Sequence, residues 1–484
     1  MKPHYARIRK VKTGSGATAI QVGKYVGKRF QLTKHIGSSK DQIKIAELIG
    51  IAEEYIRSHS QQLALNFNPH SDEVLFKRGV IVSKSTLEEA FGYLSKIYTT
   101  IGFDTLDQSI LEHFAIIRVL ESASKTKSII LLQKYFDISY KKTTVFRNLE
   151  KLTELKEKVI AVAIQYAKDN LQFDFSLVFY DVTTLYFEAF GEDEFRRNGF
   201  SKDNKINQPQ ILIGLVVNKT GFPIYYDIFK GNTFEGNTII PIITDLKKKY
   251  AIEKFTVIAD AGMLSQKNLE ELERQNLSYV VGARIGKLGL LEARSIAQEL
   301  DKTDRKIIRR ETVLYEYSAK RAKKDAADND KAITKAEYFL RNPAKVLRRS
   351  RFLASSGKKS FILNEQLIEK QRILEGIKGY KTNITDVSDE LLVVRYKDLW
   401  KIEQSFRMAK SDLEARPIYH RLEISIKYHV LVVFVALCMA RVIETDKGKS
   451  VKQVMDELKD KWTITLKDEI SGNSLNILLD KKPH

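Results

Sequence analysis

Hydrophobic and polar positions follow two rhythms along this chain, and the change from one to the other predicts its organisation. Near the N-terminus, Ala17-Thr-Ala-Ile-Gln-Val22 alternates with period two. Gly14, Gly16, Gly23, Gly27 and Gly37 supply turns, so residues 1–40 predict short strands. From Asp41 to about Asn170 the rhythm is helical: Leu106, Ile110, Leu111, Phe114, Ile117 and Leu120 recur at three- and four-residue steps. Within that block, residues 129–152 have the pattern of a helix-turn-helix, with Asp137-Ile-Ser as the turn and Lys141, Lys142 and Arg147 on the second helix. An ordinary helical bundle explains the same pattern at least as well.

Apolar runs then take over. Leu177-Val-Phe-Tyr-Asp181 and residues 211–217, 223–229, 255–260 and 279–282 predict strands, while 237–250 and 266–274 predict helices. Strands followed by alternating helices and strands imply α/β organisation on a mixed sheet. Residues 285–375 interrupt this with mostly charged sequence, one helical segment near 332–340 and few strand signals. Residues 379–385 restore the strand pattern. Ser388-Asp-Glu opens a helix expected to run to about Lys410, its hydroxyl and acids suiting an N-terminus. Residues 422–444 predict a helix apolar nearly all round, hence core.

Charge sharpens the picture. The chain of 484 residues has 81 Lys plus Arg against 61 Asp plus Glu, a net +20, and the excess is concentrated. Residues 1–40 hold ten basic residues and no acid, and residues 302–360 hold eighteen basic and seven acidic, leaving the rest near neutral. Such segments suit a polyanion, because each neutralised phosphate releases condensed counterions. Neither pairs its charge with an apolar helical face, so a membrane surface is not the expected partner. The single cysteine, Cys438, excludes a disulfide framework and a Cys-rich zinc site. The N-terminus lacks an apolar signal-peptide stretch, and the longest apolar run, 430–440, is shorter than the roughly 20 residues of a membrane span. A soluble intracellular protein is expected.

The candidate chemistry lies in carboxylates. Asp181 and Asp260 each close an apolar run, and a carboxylate at a strand end is costly unless it binds a cation or a base. Val182-Thr-Thr184 and Ala261-Gly262 follow them, and a third acid, Glu403, lies in the late helix. Three oxygen donors suit two Mg²⁺ or Mn²⁺ ions, which retain waters and bind phosphate. The eight histidines are scattered without metal-ligand spacing. Tyr396, Glu403 and Lys410 stand seven apart and so project from nearly one helix face, offering a phenol, a carboxylate and an ammonium to a phosphodiester.

These residues carry a resemblance. Tyr396-x₆-Glu403-x₆-Lys410 is similar to the tyrosine-arginine-glutamate-lysine signature of DDE transposases in the insertion-sequence-four superfamily. Tyr396-Lys-Asp-Leu-Trp-Lys-Ile-Glu403-Gln-Ser-Phe-Arg407-Met-Ala-Lys410, continuing to Arg416-Pro-Ile-Tyr-His420, resembles the sixteen-thirty-four branch of that superfamily. Tyr180-Asp-Val-Thr-Thr184, Phe200-Ser-Lys-Asp203, Ala259-Asp-Ala-Gly-Met263 and Arg9-Lys-Val-Lys-Thr-Gly-Ser-Gly-Ala17 resemble it too. The resemblance implies an RNase H-like α/β core with Asp181, Asp260 and Glu403 as catalytic metal ligands. Tyr396 and Lys410 would hold DNA phosphate. The signature arginine should stand where this chain has Leu399, and Lys401 or Arg407 would replace it. Relatives can stack a tryptophan of the insertion on a flipped base; here that role would fall to Tyr315, Tyr317, Tyr338 or Phe352.

The expected divisions are a basic β-rich segment over 1–40, a helical DNA-end-binding region over 41–170 and a catalytic core over 171–284 and 376–445. A basic insertion over 285–375 would split that core, and a C-terminal segment would cover 446–484. The expected activity is cut-and-paste transposition of a bacterial insertion sequence. A homodimer would bind terminal inverted repeats and target DNA in a synaptic complex, acting in the cytoplasm at the nucleoid. The alternative is a catalytically decayed or domesticated DNA-binding protein. An aspartyl-phosphate phosphotransferase would need an acid two residues after Asp181, where Thr183 stands.

Overall fold

The computed structural model describes residues 6–26, 29–59, 80–188, 191–199, 207–250, 252, 255–262, 265–342, 351–355, 361–468 and 474–480. Phe200–Asp203 and Met263, which belong to the motifs above, lie outside the described residues. The chain divides into two compact units, one of residues 1–85 with 464–478 and one of 86–463 with 479–484.

In the first unit the period-two alternation becomes an antiparallel sheet of β1 (Arg7–Lys12), β2 (Thr18–Val26) and β3 (Arg29–Ser39). Ala19, Ile20 and Val22 of β2 are buried and pack with Ala52 of the helix Gln42–His59. A second sheet joins β4 (Val80–Thr86) to the strands Lys461–Asp468 and Ser474–Asp480.

In the second unit β-branched and aromatic runs build an eight-stranded mixed sheet. Towards one edge β5 (Val178–Tyr186) pairs antiparallel with β6 (Gln210–Val217), and β6 antiparallel with the edge strand β7 (Pro223–Lys230). On its other side β5 runs parallel to β8 (Thr256–Ala259), and β8 parallel to β9 (Ser278–Ala283). The helices Ile239–Tyr250 and Gln266–Arg274 make the crossovers. The result is a mixed α/β fold consistent with the RNase H-like core expected.

Four local expectations change. Residues 285–375 carry more strand than their composition suggested. β10 (Ile307–Arg310) and β11 (Val313–Tyr317) form a hairpin, and β12 (Leu353–Ser355) pairs with β13 (Phe361–Leu363) in a separate two-stranded sheet. β11 pairs with β14 (Ile377–Thr382), which pairs with β9, so the first hairpin extends the central sheet. Its charges are tolerated because Arg309 pairs with Asp389 and Arg310 with Glu299. Second, the helix near 332–340 runs over Ala319–Arg341, started by the Ser318 side chain accepting from the Arg321 amide. It lacked a periodic signal because only Asn329 and Ala336 are buried along it. Third, β5 does not end at Asp181 but continues through Val182-Thr-Thr-Leu-Tyr186, whose β-branched residues suit a strand.

Fourth, the helix opened by Ser388 is two helices, Asp389–Lys397 and Trp400–Ser411. Ser388 is the N-cap, its side chain accepting from the Leu391 amide. At the junction the Leu399 amide reaches the Tyr396 carbonyl and the Ile402 amide the Leu399 carbonyl, three-residue steps that tighten the turn. Leu399 is buried in the main core at 8% exposure.

The helices Glu88–Ile101, Ser109–Leu120, Lys125–Phe136 and Lys156–Leu171 gather around Glu423–Lys447. That last helix is the one among the described residues long and apolar enough to cross a membrane, yet 83% of its apolar stretch is buried inside the fold. The turn at Asp137, in left-handed backbone, is where the helix-turn-helix pattern put it. The helix after it spans only Lys142–Arg147 before Asn148 interrupts it. Lys141, Lys142 and Arg147 are exposed.

Candidate active site

The sheet register brings the two aspartates together. Parallel pairing matches Val178 with Val257 and Phe179 with Ile258. Two residues further on, Asp181 lies within β5 and Asp260 one residue past the end of β8, so continuing that register sets them level across strands about 4.8 Å apart, on the same side as Phe179 and Ile258. Thr183 and Leu185, on that side of β5, line a cleft with Phe406, Ala409 and Lys410. Both aspartates therefore face the side of the sheet on which the Glu403 helix packs. Each takes its following backbone amide: Val182 N–H donates to Asp181 Oδ1 at 2.8 Å and Ala261 N–H to Asp260 Oδ1 at 2.7 Å. Asp181 is half-buried and Asp260 exposed, as a ligand site requires.

Tyr396 reaches this pair from the end of the helix Asp389–Lys397. Its hydroxyl donates to Asp260 Oδ1 at 3.4 Å, and the ring is buried at 4% exposure. Burial first, then the charges of Asp260 and Glu403, hold its phenol proton well above the usual tyrosine range. The phenol thus stands in the field of both carboxylates. Glu403 is exposed in the first turn of Trp400–Ser411. Among the described residues the acids do not close into a group of three able to hold a metal. The donor set is nevertheless hard oxygen, open on one side and levelled by the register, which fits a hydrated divalent cation.

A glycine makes the approach of Tyr396 possible. A Cβ on Gly282 of β9 would lie 2.7 Å from the Tyr396 hydroxyl and 2.9 Å from the Ala261 Cβ, closer than atoms pack. Sequence reading passed over Gly282, whose signal was a lone glycine inside a strand, a mark of close approach.

The remaining candidates separate. Lys410 lies at the far end of the Glu403 helix, half-buried beside Thr183 and Leu185. Glu403 and Lys410 share one helix, whereas Tyr396 belongs to the preceding one, so the seven-residue spacing crosses a tight turn. Lys401 is committed to the Lys219 carbonyl at 2.9 Å and to Asp398 at 3.1 Å. Arg407 is exposed, within electrostatic reach of Asp412 and Glu444. Of the aromatics considered for stacking, Tyr315, Tyr317 and Phe352 are buried at 4%, 8% and 0% exposure and present no ring to a base; Tyr338, at 47%, is exposed. Their apolar rings complete small cores under a charged surface, which composition alone hid.

Two further basic residues that the sequence did not single out stand near the acids. Lys378 of β14 holds its ammonium 4.7 Å from the Tyr396 ring centre and 5.5 Å from that of Tyr380. Arg321, on the inserted helix Ala319–Arg341, lies within electrostatic reach of Lys378, Tyr380 and Tyr396. Their signal was weak: alternation of Lys378, Tyr380 and Thr382 along one face of a short strand.

No curated protein matches the chain. A family model described as transposase DDE domain matches residues 172–439. The match begins just before β5 and ends within the helix Glu423–Lys447, enclosing Asp181, Asp260, Tyr396, Glu403 and Lys410. It spans more than half of the 484 residues, and the chain belongs to the transposase DDE domain family.

Proposed function

We propose that this transposase excises and inserts its own insertion sequence, a member of the insertion-sequence-four superfamily and of its sixteen-thirty-four branch. It recognises terminal inverted repeats, cuts the DNA strands and joins the freed ends to target DNA, working as a homodimer in a synaptic complex at the bacterial nucleoid. The observation that carries the reading is the levelled pair Asp181 and Asp260 with the Tyr396 hydroxyl against Asp260.

Asp181 and Asp260 would hold two Mg²⁺ or Mn²⁺ ions from the sheet, and Glu403 would complete the set from its helix. Such ions, when bound, supply a water or 3′-hydroxyl nucleophile at neutral pH and offset charge on the departing oxygen. Tyr396 keeps its proton and donates to Asp260, which fixes that carboxylate's rotamer. Lys410 reaches toward phosphate from the other end of the helix face. The basic stretches 1–40 and 302–360 supply sequence-independent contacts to the DNA backbone. Residues 1–160 recognise the element's ends, and the segment 285–375 clamps the cut end. No observation favours the non-catalytic alternative.

The test uses a plasmid carrying the gene with its own flanking DNA, incubated with purified protein and Mg²⁺. Wild type should release the element, and Asp181→Asn, Asp260→Asn and Glu403→Gln should each lower cleavage by at least a thousandfold while DNA binding in a gel shift stays near wild type. Cleavage at the wild-type rate by one of them removes that residue from the site. A wild-type protein that cuts nothing at its own flanks overturns the reading.

A further inference from the structure

We infer that Lys378 is a phosphate-positioning residue of this site, its ammonium taking an oxygen of the phosphodiester held beside Asp260. The inference rests on the transposition reading and extends it to a residue outside the helix signature. Three observations converge. The first is position: Lys378 stands on β14, antiparallel neighbour of β9, and its ammonium lies 4.7 Å from the centre of the ring whose hydroxyl touches Asp260. Tyr380 and Tyr396, edge to face at 4.8 Å between ring centres, form the cradle that holds it there.

The second observation is what Lys378 does not do. Its cross-strand neighbour on β11 is Glu316, a carboxylate at 5% exposure that would be the obvious partner. Glu316 is already taken, accepting from the Tyr380 hydroxyl at 2.8 Å and paired with Lys397. Among the described residues no acceptor lies within hydrogen-bonding or ion-pair distance of the Lys378 ammonium. A half-buried cation with three donors and no acceptor is costly unless a ligand supplies one. Burial first, then the charge of Arg321, bias it towards losing its proton, while Asp260 and Glu316 oppose this. An anion arriving beside it relieves that cost.

The third is Leu399, which occupies the place of the signature arginine and is packed into core at 8% exposure. Lys401 points to the Lys219 carbonyl and Asp398. A cation beside Asp260 is supplied here from the sheet, and Arg321 of the inserted helix adds positive potential at it.

The experiment compares wild type, Lys378→Met, which keeps the stem against both rings, and Lys378→Arg, which restores charge. The first measurement needs no DNA: ³¹P line broadening of inorganic phosphate by Mn²⁺ bound to the protein. Wild type should broaden phosphate at a half-saturating concentration that rises at least fivefold in Lys378→Met and returns to within twofold in Lys378→Arg. Mn²⁺ affinity, by electron paramagnetic resonance, should be unchanged or tighter in Lys378→Met, since a cation near Asp260 is gone; a merely structural role would weaken it. In the plasmid assay Lys378→Met should cut at least tenfold more slowly, with melting temperature within about 2 °C of wild type. The inference is overturned by a wild type that fails to broaden phosphate, by a Lys378→Met protein with wild-type half-saturation, or by weakened Mn²⁺ binding. Absence of wild-type cleavage with intact phosphate behaviour overturns the transposition reading and leaves the phosphate site standing.

Discussion

Arg118 and Lys125 leave water deep in the helical part of the fold, whereas Lys378 leaves it half-way, at the edge of the candidate active site. The first two are 6% and 3% exposed. Arg118 donates to the Leu413 carbonyl at 3.4 Å and Lys125 to the Ser425 carbonyl at 2.9 Å, with the Lys125 ammonium 5.0 Å from the Tyr428 ring centre. Both tie helices at Ser109–Leu120 and Lys125–Phe136 to the chain on either side of Arg416, and each places a donor on a backbone carbonyl. Lys378 has the aromatic cradle without the carbonyl, and the Asp260 carboxylate lies within its field. Burial of a cation is therefore not itself a mark of function. The mark is a cation whose donors remain unspent where a ligand can arrive.

Creating a further buried cation should have the largest effect. Leu399→Arg forces a guanidinium into packed core, at a cost on the order of 3–5 kcal/mol. A drop in melting temperature of roughly 10 °C, with cleavage lost, is expected by thermal denaturation and the plasmid assay. Unchanged melting and raised cleavage would mean that the slot is open and the comparison misdrawn.

A smaller effect should come from moving the cradle and leaving the cation. Gly282→Ala brings a methyl against the Tyr396 hydroxyl and Ala261, costing about 1–3 kcal/mol through overpacking. Displacing the phenol from Asp260 should slow cleavage more than tenfold while melting falls by only a few degrees. Equal damage from Leu399→Arg and Gly282→Ala to stability would show that Tyr396 matters for packing alone.

The smallest effect concerns the satisfied group. Burial first, then the charge of Arg118, pushes the Lys125 ammonium down from 10.5 to about 7. Between those values the unfolded chain binds a proton that the folded chain lacks, so stability rises with pH across this window and is lost as pH falls through it. In Lys125→Met that slope disappears, and the gap in melting temperature between pH 9.5 and pH 7 should shrink by a few degrees. A wild-type slope in the variant would remove Lys125 from the account.

Much of this was legible in the sequence where the signal is local. The Ser388 cap and the helix Gln266–Arg274 came from capping and periodicity, and Asp260 from the end of a buried strand. Asp181 was read as an acid closing an apolar run, but its strand continues because Val182, Thr183 and Thr184 are good strand residues. What stayed hidden depends on register and sheet order. Lys378 meets Tyr396 only because β14 pairs with β9, a fact no short stretch encodes. The strands of the charged segment were hidden because Arg309 and Arg310 find acids at a distance, Asp389 and Glu299. Burial of Leu399 was invisible for the same reason: a leucine between two helices reads as core or as surface until the neighbours are known.

The helix Glu423–Lys447 has a consequence for how the protein is made. It is the common neighbour of helices that precede it by about 300 residues, and it also packs on β7. At roughly 5–20 residues per second, a ribosome delivers that helix tens of seconds after its partners. Until then the sheet that positions Asp181 and Asp260 lacks the helix that packs on β7, and its apolar face stays uncovered there. A nascent chain stopped between Asp260 and Glu423 carries the aspartates but not the core helix that covers the sheet. Premature termination within that window should yield insoluble fragments, because the apolar sheet lacks the helix that buries it.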